Sequence, residues 1–414
     1  MSAFPLIGGV LHAESVSLEF IAREFGTPCY VYSRNAVEAA YRHYELTCAG
    51  RSALICYAVK ANSNLGVLNL LARMGSGFDI VSGGELARVL AAGGDPAKIL
   101  FSGVGKTEAE MRQALATGIL CFNVESEGEL ERLNAVALSM GKRAPVSLRV
   151  NPDVDAQTHP YISTGLKENK FGVAYDEAPR LYRKAAALAG IKVTGIDFHI
   201  GSQLTQIAPF VAALDKILEF VDTLDATGVP LEHIDLGGGL GIRYNDETPP
   251  EVDKYLQALF ARLGDRRQRI LLEPGRSIVG NAGILLTRVE YLKTSSDKNF
   301  AIVDAAMNDL MRPALYEAWH QVLPVAPRDA PVRSYDVVGP VCESGDWLAR
   351  ERQLAIAPGD LLALMSAGAY GMSMSSNYNS RPRIAEVIVD GREAHLVRPR
   401  ETIESLYSSE RLIS

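Results

Sequence analysis

The sequence lacks any hydrophobic run long enough to cross a bilayer. Its longest such run, residues 53–59, has seven residues, whereas a transmembrane helix needs about 20. The first residues do not combine a basic stretch with an apolar one, so they are not typical of a signal peptide. Basic runs are missing too, and 42 lysines and arginines against 49 acidic residues leave a net charge of −7. We therefore expect a cytoplasmic protein that binds a small molecule rather than nucleic acid or a membrane.

A cysteine pattern that would indicate disulfides or zinc is also missing. The five cysteines, at positions 29, 48, 56, 121 and 342, are odd in number and never spaced as C-x-x-C. This pattern argues against a disulfide framework and against a zinc cage. Neither the phosphate-binding loop G-x-x-x-x-G-K-[ST] nor the metalloprotease motif H-E-x-x-H occurs. We expect no metal site and at most one cysteine with a chemical role.

A regular alternation of β-rich runs and helical patterns begins at residue 53. The chain has 414 residues, of which 47% are hydrophobic and 22% charged, so it can bury a large core. The predicted strands are 54–59, 78–81, 99–101, 119–123, 146–150, 195–200, 233–236 and 270–273. Eight consecutive βα units favour a (β/α)8 barrel over an open doubly wound sheet. Such barrels carry their chemistry at the carboxyl ends of the strands.

After residue 276 the pattern changes to strands without regular helices between them. The predicted strands are 284–291, 300–303, 332–338, 361–365, 384–389 and 394–397, with one helical stretch at 308–320. The first 35 residues carry a capped helix at 17–26 and a strand at 29–32. We therefore expect an α/β chain of two domains. The barrel would cover 35–275, and a mostly antiparallel, β-sandwich-like domain that contributes to the active site would cover 1–34 and 276–414.

Two predicted strand ends carry a lysine and a glycine run. Lys60 directly follows the first strand, where partial burial favours Schiff-base chemistry, although a surface lysine is the alternative. Gly237, Gly238 and Gly239 follow the seventh strand. Glycines there would let backbone N–H groups approach a phosphate, and barrels often bind phosphate after strands seven and eight. A tight turn is the alternative for this run.

Two further strand ends carry an imidazole and a carboxylate. His199 and Ser202 follow the sixth strand, where the ring could stack on a flat cofactor and the hydroxyl could reach a phosphate. The eighth strand ends at Glu273, with Gly275 and Arg276 behind it. A carboxylate opposite a ring nitrogen keeps that nitrogen protonated, as pyridoxal chemistry requires. The alternative for His199 is a hydrogen-bonded histidine at the barrel rim. The alternative for Glu273 is an ion pair with Arg276 that closes the barrel.

One cofactor uses a lysine, a stacking ring, a phosphate-binding loop and a carboxylate together, namely pyridoxal 5′-phosphate. The segments YAVKAN at 57–62, HIGSQ at 199–203, GGGLG at 237–241 and EPGR at 273–276 resemble, in order and spacing, the alanine-racemase-type barrel decarboxylases. Within that group the chain is most similar to the diaminopimelate decarboxylases. The resemblance implies fold type III of the pyridoxal-phosphate enzymes. It also implies cofactor contacts from Lys60, His199, Ser202, Gly237, Gly238, Gly239, Glu273, Gly275, Arg276 and Tyr370.

The resemblance also extends to the second domain. The segment C-E-S-G-D at 342–346 resembles the family's C-E-S-x-D. It implies that Cys342 is the acid that protonates the substrate carbon and that Glu343 binds the distal amine. Since the family supplies this loop from the other subunit, a homodimer with shared sites is implied. Without the resemblance, Cys342 would be interpreted as a small buried hydrophobe.

A carboxylate-binding group is implied as well. Arg276, Arg312 and Tyr316 resemble the family's clamp for a distal carboxylate, which arginine binds bidentately. Tyr370 is implied to contact substrate as well as cofactor. Without the resemblance, Arg312 and Tyr316 could instead belong to a solvated helix face, and Tyr370 could be an aromatic residue in a turn. Asn169 stands where the family often has serine before Lys-Phe-Gly, in a loop that we interpret as a cover over the site.

The predicted reaction is decarboxylation of meso-2,6-diaminopimelate to L-lysine and carbon dioxide, the last step of lysine biosynthesis. One alternative is an ornithine, lysine or arginine decarboxylase of the same fold. Their substrates lack a distal carboxylate, and such enzymes usually carry Cys-Asp instead of Cys342-Glu343. The other alternative is a non-catalytic pyridoxal-phosphate-binding protein, which would have no need for Cys342, Arg312 and Tyr316.

Overall fold

The computed structural model describes residues 3–154 and 170–413, and the chain divides into two compact units. One unit consists of Tyr41–Ile242 and Thr248–Ser277. The other consists of Met1–Ala40, Arg243–Glu247 and Ile278–Ser414. Throughout the described ranges, every helix is too short or too polar to cross a bilayer.

The first unit is a closed barrel of eight parallel strands, as the sequence predicts. Each strand pairs with its successor, and the ring closes where Ile270 of the last strand pairs with Ala53 of the first. The strands are Ala53–Ala58, Gly77–Ile80, Ile99–Phe101, Cys121–Val124, Ala144–Asn151, Ile191–Asp197, His233–Asp235 and Arg269–Leu272. A two-residue strand, Val173–Ala174, pairs with the fifth.

Helices surround these strands, and several begin at well-formed caps. Ser82 accepts a hydrogen bond from the Glu85 N–H at the start of one helix, and Thr107 forms a full capping box with Glu110 at the start of another. The helices that begin or lie within this unit are Leu65–Arg73, Gly83–Ala91, Glu108–Thr117, Glu127–Ser139, Ala178–Ala187, Ala208–Ala226 and Val252–Leu263. Helices Arg34–Thr47 and Arg276–Val279 contain positions where one unit gives way to the other.

The barrel interior changes from apolar to polar toward the carboxyl ends of the strands. Cys121 and Leu271 belong to an apolar cluster. Asn123 lies two residues after Cys121 on the fourth strand, and Glu273 lies two residues after Leu271, directly behind the eighth strand. Because side chains alternate along a strand, these polar groups face the same interior. Other buried acids at this level are Asp79, Asp197 and Asp235. The upper layer is therefore where a polar ligand would be bound.

The sixth strand lies earlier in the chain than predicted, over Ile191–Asp197 instead of 195–200. It ends at Asp197 rather than at residue 200, because the chain leaves the sheet there and turns through Gly201, with φ 155°, and Gln203, with φ 61°. His199 consequently lies on a loop, where its ring is not restricted to one face of the sheet.

The second unit is built on a nine-stranded sheet and a small three-stranded one. Most pairs are antiparallel, but Asn299–Val303 pairs in parallel with Arg333–Val338, and Cys29–Ser33 pairs in parallel with Ala385–Asp390. The remaining strands of the large sheet are Gly283–Thr294, Val322–Pro324, Trp347–Leu354, Leu361–Leu364 and Glu393–Arg398. The small sheet consists of Leu6–Ile7, Val10–Ala13 and Val16–Ser17. Helices lie at Leu18–Phe25, Arg312–Tyr316 and Ile403–Tyr407.

Strands Leu6–Ile7, Val10–Ala13, Val16–Ser17 and Val322–Pro324 were not predicted, and one helix and one longer strand also differ from the sequence prediction. The helical stretch at 308–320 is a helix only over Arg312–Tyr316, because Pro313 favours a helix start and Glu317, with φ 51°, ends it. Strand Trp347–Leu354 was not predicted. Its alternation is obscured by three consecutive charged residues and interrupted by Glu351, whose φ is 56°.

Candidate active site

Lys60 lies at the carboxyl end of the first barrel strand, in the short turn Val59–Ala61. Its Nζ lies 2.7 Å from the Asp79 Oδ2, and the Asp79 side chain is fully buried, whereas that of Lys60 is 36% exposed. The strand register pairs Ala58 with Asp79, which places the acid beside the turn. Sequence reasoning missed Asp79, although a charged residue inside a predicted inner strand was its signal.

The glycine run lets three neighbouring loops approach one another closely. A Cβ on Gly237 would lie 2.6 Å from the Phe198 backbone oxygen, and one on Gly238 would lie less than 3.0 Å from the Glu273 backbone oxygen. Real Cβ atoms essentially never approach so closely. The run therefore holds the loops after strands six and eight, which carry His199 and Glu273, against the seventh strand.

The N–H groups of this run are partly used inside the protein. The Gly237 N–H donates to Asp235 Oδ1 at 2.9 Å, and the Gly238 N–H donates to His199 Nδ1 at 3.2 Å. Since Nδ1 of His199 accepts, its ring proton is on Nε2. Burial, followed by the positive charges of Arg149 and Lys60, holds the pKa of His199 well below its usual value. The ring is therefore neutral and suited to stacking.

Glu273 belongs to a group of buried carboxyl groups. Carboxylate oxygens of Asp197, Asp235 and Glu273 lie within 4.8 Å of one another. Burial and then the Asp235 charge raise the pKa of Glu273 well above its usual value. Burial also raises the pKa of Asp235 to about 6. Asn123 Nδ2 lies 3.4 Å from Glu273 Oε1. The layer is crowded with negative charge, so a positive group facing Glu273 would be stabilised there.

Arg276 and Ser202 come together as a phosphate site would require. The Arg276 guanidinium donates to the Ser202 hydroxyl at 3.1 Å, although the two residues follow different strands. Arg276 is buried. A Cβ on Gly275 would lie 3.0 Å from Ala61 Cβ, so this glycine lets the last loop pack on the turn that carries Lys60. The predicted cofactor residues of the barrel unit thus lie at one end of the barrel.

The predicted cover loop is described in part. Asn169 lies outside the described residues. The Gly172 N–H donates to Glu125 Oε2 at 3.1 Å, and the Phe171 ring faces the Arg149 guanidinium at 5.0 Å. Whether this loop covers the site stays a prediction.

In the other unit, Arg312 and Tyr316 lie one turn apart on the short helix, as predicted. The Arg312 guanidinium is buried, lies 4.5 Å from the centre of the Tyr244 ring, and is 2.8 Å from His320 Nε2. His320 in turn is 2.8 Å from the Met365 backbone oxygen through Nδ1. These contacts orient the arginine. Sequence reasoning missed His320, because its partner is determined by the fold.

Tyr370 has a backbone conformation that non-glycine residues rarely adopt, with φ 56°. The neighbouring Gly371 is required, since a Cβ there would lie 2.5 Å from the Tyr30 hydroxyl. Such a conformation is retained only where the surroundings hold it, and it is common at functional sites.

Cys342 is the exposed cysteine of the chain, whereas the other four are buried. Its backbone N–H donates to Asn379 Oδ1 at 3.0 Å. Glu343, the next residue, is also exposed. The structure therefore places both side chains at the surface of a single chain.

Comparison with known proteins gives the family. Residues 34–280 match the family model described as pyridoxal-dependent decarboxylase, pyridoxal binding domain. The chain is 63% identical over 413 residues to the diaminopimelate decarboxylase of Pseudomonas aeruginosa, with 100% of both chains covered. The chain belongs to the diaminopimelate decarboxylase family. The resemblance inferred from the four barrel motifs is thereby confirmed.

Solved structures of the diaminopimelate decarboxylase family show the same fold. The enzyme from Helicobacter pylori, complexed with L-lysine, has a TM-score of 0.92 and 44% identity, with 95% of this chain and 99% of that chain covered. The diaminopimelate decarboxylase from M. jannaschii, in co-complex with L-lysine, has a TM-score of 0.95 and 36% identity, with 100% of this chain and 99% of that chain covered. The predicted barrel with a mostly antiparallel second sheet is confirmed.

The residues present fit pyridoxal phosphate, the cofactor of this decarboxylase family. A primary amine stands at the barrel rim after the first strand, and a neutral imidazole lies on the loop after the sixth strand. Among the described residues, the buried oxygens Asp79 Oδ1 and Asp235 Oδ2 have no hydrogen-bond partner, in a layer short of positive charge. A protonated pyridine nitrogen opposite Glu273 would supply that charge.

Proposed function

We propose that the chain decarboxylates meso-2,6-diaminopimelate to L-lysine and carbon dioxide with pyridoxal phosphate, as the last step of lysine biosynthesis. The observation that carries this proposal is the 63% identity to a diaminopimelate decarboxylase over the whole chain. The barrel motifs that hold the cofactor are part of that match.

The barrel residues hold and tune the cofactor. Lys60 would supply the amine that attaches it, and Glu273 would keep its ring nitrogen protonated. The neutral ring of His199 would stack on the cofactor, while Ser202 and Arg276 would bind its phosphate. When bound, the cofactor would supply an acceptor for the electron pair that remains on the α-carbon after carbon dioxide leaves.

The glycines of the barrel act through the backbone in this proposal. Gly237, Gly238 and Gly239 let the loops that carry the ring-binding residues close on the phosphate. Gly275 does the same for the loop that leads into Arg276. Tyr370 completes the phosphate site and contacts substrate, and its unusual φ of 56° is consistent with a functional constraint.

The predicted substrate-binding residues bind the distal part of the substrate, and Cys342 moves a proton. Arg276, Arg312 and Tyr316 bind the distal carboxylate, and Glu343 binds the distal amine. The Cys342 thiol gives its proton to the α-carbon and is protonated again by solvent. A substrate that lacks the distal carboxylate could not make these contacts with Arg276, Arg312 and Tyr316, which is why we favour diaminopimelate over lysine, ornithine or arginine.

We also propose a homodimer with shared sites and a cytoplasmic location. Cys342 and Glu343 are exposed in the single chain, as expected of residues that complete a site in a partner. All five cysteines are thiols, which is consistent with a reducing compartment. Sedimentation of the purified protein tests the dimer. A monomer with full activity would contradict it.

The test of the function is carbon dioxide release from meso-diaminopimelate, L-lysine, L-ornithine and L-arginine. We expect release from diaminopimelate alone. Lys60→Ala should abolish it, whereas the matched control Lys192→Ala should not, since Lys192 is exposed and pairs with Glu232 on the surface. Release from a basic amino acid instead would overturn the distal-carboxylate assignment. Silence with all four substrates would favour a non-catalytic cofactor carrier.

A further inference from the structure

A tight turn at Tyr378–Ser380 contacts the loop that carries Cys342 and Glu343. Asn379 lies at its centre with φ 54°, a left-handed conformation that asparagine tolerates better than most residues. Its Oδ1 accepts the Cys342 N–H at 3.0 Å. The Glu343 carboxylate near the Tyr378 hydroxyl raises the pKa of Tyr378. Adjacent residues of one turn thus face adjacent residues of the loop.

The other side of the loop is fixed by Asp346. Its two carboxylate oxygens accept the N–H groups of Met307 and Val341, both at 2.7 Å. Asp346 is buried. A Cβ on Gly339 would lie 2.6 Å from Asp346 Oδ2, so the loop begins in close contact with this anchor. Within the loop, the Glu343 N–H donates to the Val341 backbone oxygen at 2.8 Å, and the Asp346 N–H donates to the Glu343 backbone oxygen at 3.1 Å. Asn379 adds, from outside the loop, the acceptor for the Cys342 N–H.

The turn itself is anchored to the same unit. Arg381 donates to Asn308 Oδ1 at 3.0 Å and to the Asp304 backbone oxygen at 2.6 Å. Asn377 donates to Glu401 Oε2 at 2.7 Å. The acceptor that Asn379 offers to Cys342 is therefore supported on both sides of the turn.

We propose that Asn379 is a positioning residue for proton transfer by Cys342. This inference rests on the proton-donor role given to Cys342 under the proposed function. A cysteine side chain has one rotatable bond before the sulfur, so fixing the backbone leaves the thiol only a few staggered positions. Proton transfer needs the donor within hydrogen-bond reach of the acceptor, and small displacements cost rate steeply.

Two substitutions separate the acceptor from the conformation. Asn379→Gly keeps the left-handed backbone and removes the acceptor, so kcat for diaminopimelate should fall roughly five- to tenfold with KM little changed. Asn379→Asp keeps the acceptor oxygen and tolerates the left-handed backbone, so its kcat should stay within about twofold of the wild-type value. Ser380→Gly is the matched control, because Ser380 has φ 55° in the same turn and its side chain is not the one that accepts from Cys342. Its kcat should be unchanged.

Thiol labelling of the holoenzyme with iodoacetamide gives a readout other than activity. It reports Cys342, since the other four cysteines are buried, and Cys342→Ser should abolish it. The Asn379→Asp carboxylate disfavours a nearby thiolate, so labelling at pH 7.5 should slow by about threefold or more. Labelling of Asn379→Gly, which adds no charge, should change by less.

The two variants should therefore show opposite patterns. Wild-type kcat in Asn379→Gly, or an equal loss of kcat in both variants, would overturn the proposal. So would unchanged labelling of Asn379→Asp, since the side chain would then not be near the thiol. If wild-type protein released no carbon dioxide from diaminopimelate, the proposed function would fail, whereas the labelling comparison would still test the contact between Asn379 and Cys342.

Discussion

Substitution of Gly238 by alanine should damage the barrel and its cofactor site together. The new Cβ would lie less than 3.0 Å from the backbone oxygen of Glu273. That oxygen belongs to the main chain of the next strand end and cannot rotate away as a flexible side chain would. The loop that carries the Glu273 carboxyl must therefore move.

The size of the effect follows from the kind of contact. Overpacking that forces a backbone shift costs about 1–3 kcal/mol, and a main-chain obstacle favours the upper end. For a unit of this size, about 3 kcal/mol corresponds to a fall in Tm of roughly 6–12 °C. Displacement of Glu273 by a few tenths of an ångström or more should also weaken cofactor retention and turnover.

Scanning fluorimetry of the holoenzyme and cofactor absorbance after dialysis measure both effects. Gly84→Ala is the control, because Gly84 lies within helix Gly83–Ala91 and its Cβ would meet nothing closer than 3.7 Å. Alanine there should stabilise by about 0.4–1 kcal/mol. If Gly238→Ala melted within about 2 °C of wild type and kept its cofactor, the argument from close loop approach would be refuted.

Three further predictions concern buried ionisable groups. Burial lowers the pKa of His233 from 6.5 to about 4, so the unfolded chain takes the proton first and stability falls as pH drops from 6.5 toward 4, by up to about 3 kcal/mol. Urea titrations at several pH values should show that the free energy of unfolding depends less steeply on pH in His233→Gln than in wild type. Equal pH dependence in the two proteins would contradict this. Lys106→Met leaves buried Glu129 without the Nζ that lies 2.8 Å away, which should lower the free energy of unfolding by about 3–5 kcal/mol. Adding Glu129→Gln to this variant should bring the urea concentration at the midpoint most of the way back to the wild-type value. Arg312→Lys loses the planar contact with Tyr244, so kcat/KM for diaminopimelate should fall roughly 10- to 100-fold. An unchanged kcat/KM would remove Arg312 from the substrate site.

The barrel could be predicted because its strands are short β-rich runs separated by helices of ordinary length. The third strand, Ile99–Phe101, was predicted at its observed bounds, and each of the other seven predicted strands overlaps an observed one. The motifs then indicated which strand ends carry chemistry. Local pattern contains this information because backbone propensity and burial act over a few residues.

Partners that depend on register and loop packing could not be predicted. The pairing of Lys60 with Asp79 follows from the alignment of two strands, and the Arg312 contact with His320 follows from how the helix ends. Asn379 reaches Cys342 across 37 residues of sequence. A single sequence gives the residue types in such pairs but not their distances. The strand Trp347–Leu354 was missed for a local reason, since its charges hide the alternation.

The crowded carboxyl groups of the upper barrel layer link the lifetime of the protein in the cell to its cofactor. A molecule that binds only the folded chain stabilises it by RT ln(1 + [L]/Kd), about 2.7 kcal/mol at a hundredfold excess over Kd. Chains that have not yet met pyridoxal phosphate lack that contribution and keep the mutual repulsion of Asp235 and Glu273. They open more often, and proteases act on opened chains. Scarcity of the cofactor would thus lower the amount of enzyme as well as its occupancy.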